Sequence, residues 1–310
     1  MRTTIILAAF TALFASVAVA VGQNETGENG TYDQSYQHFD CGVSVANASH
    51  HLYSTIKGLH NSASGIARTG TQKAKVAKRQ SSAIVVPTYF HVITRTASAG
   101  SITPAMAQAQ IDAMNAAYLP SNISFQLLGT SFTVNDAWAV ASGADMAAAK
   151  ASLRRGTYNT LNLYFHTDLA GSILGTCTLP SDIGPGTPAP SSYVSDGCNV
   201  QANTMPGGTV LGYNSGKTAV HETGHWLGLL HTFEGYSCTG TGDFINDTPM
   251  QSTSTDGCPT KPAKDSCPTV AGVDPIHNYM DYSTDACYTG FTKGQQSRMY
   301  DLWTQYRAGR

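Results

Sequence analysis

Three things are missing from this 310-residue chain, and each absence closes off a class of function. Beyond its first twenty residues there is no apolar run of about 18, the length a helix needs to cross a bilayer, so no spanning helix is expected. Positive charge is scarce. From residue 80 onward, eleven Lys and Arg stand against sixteen Asp and Glu, a formal charge near −5. That balance argues against nucleic acid or an anionic membrane as a partner. No segment repeats another, which excludes a solenoid or propeller.

What is there begins with a segmented N-terminus. Arg2, the apolar stretch Ile5 to Phe14 and the small residues Ala18-Val19-Ala20 form a secretory signal with its cleavage site. Residues 21–79 are rich in Gly, Ser, Asn, Thr and His and lack apolar periodicity. They end at the dibasic pair Lys78-Arg79, ahead of Gln80. The expected organisation is signal peptide 1–20, pro-segment 21–79 and one catalytic domain 80–310. The competing reading of Lys78-Arg79 is a solvated basic cluster continuing Lys73 and Lys75. Asn24, Asn29, Asn47 and Asn122 lie in N-x-[ST] sequons, acceptors for glycans on a secreted protein.

The densest signal is the eleven-residue string His221-Glu222-Thr223-Gly224-His225-Trp226-Leu227-Gly228-Leu229-Leu230-His231. On a helix, positions four apart share a face, so His221 and His225 can offer two imidazoles to one metal ion. Glu222 lies one step round, placed for a water rather than for the metal. Glycine tolerates left-handed backbone, so Gly228 can end the helix in a sharp turn and bring His231 back as a third ligand. Three ligands with an open fourth position describe a catalytic zinc rather than a structural one. An amphipathic core helix would explain Trp226, Leu227, Leu229 and Leu230, but not three histidines and a glutamate in this register.

These residues resemble the metzincin metallopeptidases. That clan carries a methionine in a tight turn beneath the zinc, and Ile276-His277-Asn278-Tyr279-Met280-Asp281-Tyr282 matches it with Met280. Tyr282 matches a tyrosine that lies near the metal in several of its families. His231-Thr232-Phe233, Gly242-Asp243 and Asp247-Thr248-Pro249 make the chain similar to the pappalysin family, in particular its small secreted fungal extracellular metalloproteases. The resemblance implies a zinc-dependent endopeptidase acting on extracellular proteins or peptides, with Glu222 as general base and Tyr282 assisting. The sequence does not define the oligomeric state, and a monomer is the default expectation; the resemblance suggests a structural calcium beside Asp243 and Thr248. The competing reading of that stretch is a polar turn. Two other functions are weighed: a secreted zinc-binding module without catalysis, which would not need Glu222, and a zinc amidase on non-peptide substrates.

Six of the seven cysteines lie beyond residue 80, and six allow fifteen pairings. Cys177 and Cys198 bracket a Pro/Gly/Ser-rich loop, which suits a local bridge. The resemblance implies Cys238–Cys267 and Cys258–Cys287. The odd one, Cys41 in the pro-segment, is either an incidental thiol or a zymogen switch whose thiolate fills the open metal position.

Strand patterns fall at 84–93, 122–134, 160–166, 171–179 and 209–213, and helical patterns at 103–118, 144–153, from Thr218, and 292–305. Pro87 favours an edge strand or a strand start. This alternation is an α/β (α+β) order. The resemblance makes it metzincin-like: a twisted mixed sheet with backing helices in the upper lobe, the zinc helix on the cleft floor, and a loop-rich, disulfide-stapled lower lobe. Asp281 and Asp285 either select basic residues after the cleaved bond or serve structure. Substrate identity lies in loops that spacing alone does not define.

Overall fold

The β-branched and aromatic run that starts at Ile84 becomes the spine of the sheet. The computed structural model describes residues 39–64, 83–184 and 191–310. The signal segment, Lys78-Arg79, Asn24 and Asn29 lie outside the described residues. The elements are α1 (His50–Ser64), β1 (Ile84–Thr94), α2 (Pro104–Tyr118), β2 (Ile123–Val134), α3 (Asp136–Val140), α4 (Ala144–Leu153), β3 (Leu161–His166), β4 (Gly175–Cys177), α5 (Ser191–Ser195), β5 (Cys198–Gln201), α6 (Lys217–Trp226) and α7 (Lys293–Leu302).

The five strands lie in the order β2-β1-β3-β5-β4. All pairs are parallel except β4 with β5, which is antiparallel. β1 is therefore internal, yet Pro87 is tolerated because pairing to β3 begins only at Thr88. Thr103 caps α2 by accepting the Met106 amide, and Ile111, Met114 and Tyr118 form its buried face. The Tyr118 hydroxyl donates to the Val220 carbonyl at 2.8 Å and so ties α2 to α6.

Several expectations are corrected. The 209–213 pattern is a turn: Val210 donates to Asn203 O and Tyr213 to Val210 O, Gly212 has φ +81°, and Leu211 is exposed. Local hydrogen bonds there take the groups a ladder would have used. The strand expected over 171–179 is only β4. β5 was not foreseen, because four residues with two polar side chains give no alternation to read. α6 opens at Lys217, after Gly216 at φ +82°. The last helix ends at Leu302 and tightens into a π-turn over Trp303–Arg307.

That turn carries a fully buried arginine. Arg307 pairs with Asp196 through two bonds of 3.0 and 3.1 Å and donates to the Trp226 carbonyl at 3.0 Å. It thereby holds the last turn of α6 against the sheet. Burial alone would raise the Asp196 carboxyl, but Arg307, with Arg154 in support, brings the net direction down. Disulfides join Cys177–Cys198 across β4 and β5, Cys238–Cys267, and Cys258–Cys287. Asn47 and Asn122 are exposed; Asn47 also accepts the Ser44 amide.

Candidate active site

α6 is buried from Thr218 to Trp226, and its register sets His221 and His225 one turn apart. The helix then stops. Gly228 has φ +92°, and a Cβ there would collide with Leu302, so only glycine meets both demands. The chain turns back and His231 completes a triangle. Its Nε2 lies 3.2 Å from that of His221 and 3.1 Å from that of His225, and the latter two are 3.1 Å apart.

The outer ring nitrogens define what the inner ones are. His221 Nδ1 faces the Tyr279 carbonyl at 2.7 Å, and His225 Nδ1 faces the Leu229 carbonyl at 2.9 Å. A carbonyl accepts only, so both Nδ1 atoms carry hydrogen and both Nε2 atoms present lone pairs. Burial lowers all three imidazole pKa values, that of His225 to about 4, so none adds a proton. Unshared lone pairs this close repel unless a cation lies among them. The donor set fits an ion that prefers imidazole nitrogen, such as zinc.

Glu222 is fully buried beside this triangle. Its Oε1 has no partner, and burial pushes its carboxyl up to about 8. β4 passes so close that a Cβ on Gly175 would strike the Glu222 carboxylate. Met280 lies beneath the helix, where a side chain at Gly224 would meet its sulfur. The turn holding it is braced: Met280 donates to Asn278 Oδ1 at 2.9 Å, and its carbonyl accepts the Thr232 amide at 3.1 Å. Asp281 is fully buried and accepts from Thr255, Gln251 and its neighbour's amide, so it serves structure. Asp285 accepts the Ser215 amide at 2.6 Å, ahead of α6.

The N-terminal segment runs into the same place. Cys41 bridges Gly175 of β4, and Asp40 accepts the Leu174 amide. The Cys41 sulfur is a free thiol grouped with the three histidine nitrogens, all within 4.8 Å of one another. It also lies 3.5 Å from Glu222 Oε2. The Tyr282 hydroxyl accepts the Cys41 amide and donates to the Cys41 carbonyl, both at 3.0 Å. Farther along, Glu234 accepts the Val45 amide at 2.8 Å, with its other oxygen 4.0 Å from His231 Nδ1. Leu52 and Ile56 of α1 join the buried cluster that holds Phe233, Leu302 and Tyr306.

Sequence reasoning missed Gly175, Glu234 and Phe39, which packs at 4.8 Å against His221. Glu234 alone left a signal, an acid three residues beyond the last histidine. Asp243 and Thr248 do meet: Thr248 donates to Asp243 Oδ1 at 2.7 Å, while Oδ2 is buried without a partner. Burial pushes Asp243 up to about 7. Asp247 points elsewhere and accepts the Gly294 amide at the start of α7.

The family model for peptidase M43, described as pregnancy-associated plasma protein-A, matches residues 190–303. An extracellular metalloprotease of Colletotrichum graminicola is 50% identical over 227 residues, 73% of this chain and 78% of that one. One from Neurospora crassa is 44% identical over 272 residues, 87% and 90% of the two chains. Among solved structures, a promirolysin mutant of Tannerella forsythia is 25% identical with a TM-score of 0.63, covering 85% of this chain and 93% of its own. Mature mirolysin of that organism, in complex with a cleaved peptide, is 29% identical with a TM-score of 0.60, covering 72% and 92%. The fold is thus metzincin-like, and identity of this order over more than two thirds of the relatives' length decides the family: the chain belongs to the M43, or pappalysin, metallopeptidases and is a metalloendopeptidase.

Proposed function

We propose that the protein is a secreted zinc endopeptidase held latent by its own N-terminal segment. One observation carries the reading: three Nε2 atoms, those of His221 and His225 presenting lone pairs, converge beside a buried carboxylate with an open oxygen. His221, His225 and His231 would hold the ion. When bound, zinc acidifies a water, lowering its pKa from about 15.7 toward about 7, and polarises the scissile carbonyl. Glu222 Oε1 takes the proton of the attacking water and delivers it to the leaving amine nitrogen. Tyr282 is a partner for the developing oxyanion. Its hydroxyl is engaged by Cys41 now and becomes free once that residue leaves. Met280 fills space under the helix without touching the ion.

Cys41 is the plug. Its sulfur supplies a fourth donor, and its backbone ties up Tyr282. The greater coverage by promirolysin than by mature mirolysin, 85% against 72% of this chain, supports reading residues 39–64 as part of a pro-segment. Secretion rests on the signal pattern of residues 1–20 and the extracellular names of the relatives. Among the described residues no helix is long and apolar enough to cross a membrane. Asp243, with its open oxygen, and Thr248 would be the place for a calcium ion, as oxygen ligands.

The test uses the processed protein and its Glu222→Gln variant on denatured casein, with metal content measured on both. Zinc near one equivalent in each, with cleavage lost in the variant, is the expected result. Equal cleavage by both removes Glu222 as the base. Zinc in both with no cleavage by either favours a binding module.

A further inference from the structure

Residues 39–43 lie along the edge of β4, joined to it by an isolated bridge at Cys41. Phe39, Cys41 and Val43 are buried at 5%, 6% and 4% exposure, while Asp40 and Gly42 face out. That is the period-two pattern of a strand, with alternate side chains seated in pockets. Its main chain joins the sheet edge through the Cys41–Gly175 bridge and the Leu174-to-Asp40 bond. Strand addition of this kind draws affinity from the main chain and selectivity from the alternate pockets.

The pocket around Phe39 is made of rings. Its centroid lies 4.8 Å from both His221 and Tyr282 and 5.7 Å from Tyr213, all tilted. Aromatic rings favour such offset and tilted pairing over most other neighbours. The Tyr213 hydroxyl donates to the Tyr282 carbonyl at 3.5 Å, so two walls of the chamber are tied to each other. Phe39 stands two residues from Cys41, whose sulfur is at the metal ligands. In an extended chain that is about 7 Å, the spacing of a residue close to a scissile bond. Of the neighbouring acids, Asp40 faces out, and Asp281 is engaged by Thr255 and Gln251.

We propose that the chamber walled by Tyr213, His221 and Tyr282, filled by Phe39 in the latent form, is a specificity subsite that takes an aromatic side chain of the substrate close to the cleaved bond. This rests on the peptidase reading above. Tyr213 is the one wall outside the ligand and catalytic set, and it is the specificity-determining residue.

The test digests a proteome-derived peptide library with the full-length chain after its own processing, with loss of the pro-segment and zinc content confirmed by mass spectrometry. Expected is enrichment of Phe, Tyr and Trp at one subsite within two residues of the cut. Tyr213→Ala should lower that preference by roughly tenfold, the size of effect a lost pocket contact carries, and Tyr213→Phe should keep it. In case the alanine variant does not fold, the wild-type enzyme is inhibited with synthetic peptides spanning residues 37–45 that carry Phe39 or Phe39→Ala. The alanine peptide should bind roughly tenfold more weakly. Cleavage with no aromatic enrichment, with Lys or Arg enriched instead, or equal binding of the two peptides overturns the subsite and leaves the peptidase reading intact. No cleavage by the processed, zinc-bearing protein overturns both.

Discussion

The sheet half of the molecule, Ile84 to Gln201, and the turn-rich half, Thr232 to Gly290, grip one site by different means. In the first, β1 and β3 are buried almost throughout, and apolar side chains such as Val86, Phe90, Leu163 and Phe165 supply the core. Burial of that kind is worth about 1.5–3 kcal/mol per large side chain. The second has little regular structure to pack. Its order comes from Cys238–Cys267, Cys258–Cys287 and buried carboxylates whose oxygens are taken up by amides and hydroxyls, as Asp281 is by Thr255 and Gln251. Sheet burial sets global stability; cross-links and local hydrogen bonds set where Met280 and Tyr282 stand. Damage to the first should unfold the protein, and damage to the second should disorder the site while the sheet survives.

The sharpest way to break that contrast is at Arg307, a buried cation that ties the chain's end to α6 and the sheet. Arg307→Ala removes the closer ion pair of buried Asp196, leaving it Arg154, Trp226 and Thr178, and should cost about 3–5 kcal/mol in denaturant unfolding. A cost below about 1 kcal/mol would mean the pair is dispensable.

In the other half, replacing Cys258 and Cys287 together by serine should cost about 2–4 kcal/mol. Amide exchange should loosen around 277–287 with the β1 and β3 amides still protected, and casein cleavage should fall. Loss of protection across the sheet would show the two halves to be one cooperative unit.

Gly175→Ala sharpens the comparison from the sheet side, because it adds one methyl where β4 touches Glu222. Turnover should drop by about a hundredfold, as for a catalytic group displaced by about 1 Å. Zinc content and unfolding midpoint should hold.

The smallest effect per step is one of pH. Burial lowers His91 and His166 to about 4 from an ordinary value of 6.5. Between those values the unfolded chain binds protons that the folded chain refuses. Stability therefore falls as pH drops from 6.5 toward 4, by about 1.4 kcal/mol per unit for each group. His166→Gln should flatten the slope by that amount; an unchanged slope would mean His166 is protonated in the fold.

The site was legible where spacing is local. His221, Glu222, His225, Gly228 and His231 read directly, since helix geometry converts sequence intervals into positions. Met280, Tyr282 and two of the three disulfides came from resemblance, because spacing carries no rule for a turn about fifty residues away. Gly175 and Phe39 were invisible: Phe39 matters through His221, more than 180 residues away in sequence, and Gly175 through Glu222, across a sheet edge. The long strands and α2 were readable from β-branched runs and a Thr-Pro cap. β5 and the 209–213 turn were not, because four residues hold too little periodicity to choose between ladder and turn.

The most direct measurement of the central claim is zinc-edge X-ray absorption on the chain before and after loss of the pro-segment. Expected before processing are three nitrogens at about 2.0–2.1 Å and one sulfur at about 2.3 Å, with an oxygen replacing the sulfur afterwards. Zinc without the three nitrogens, or a sulfur absent before processing or retained after it, would contradict a three-histidine centre plugged by Cys41.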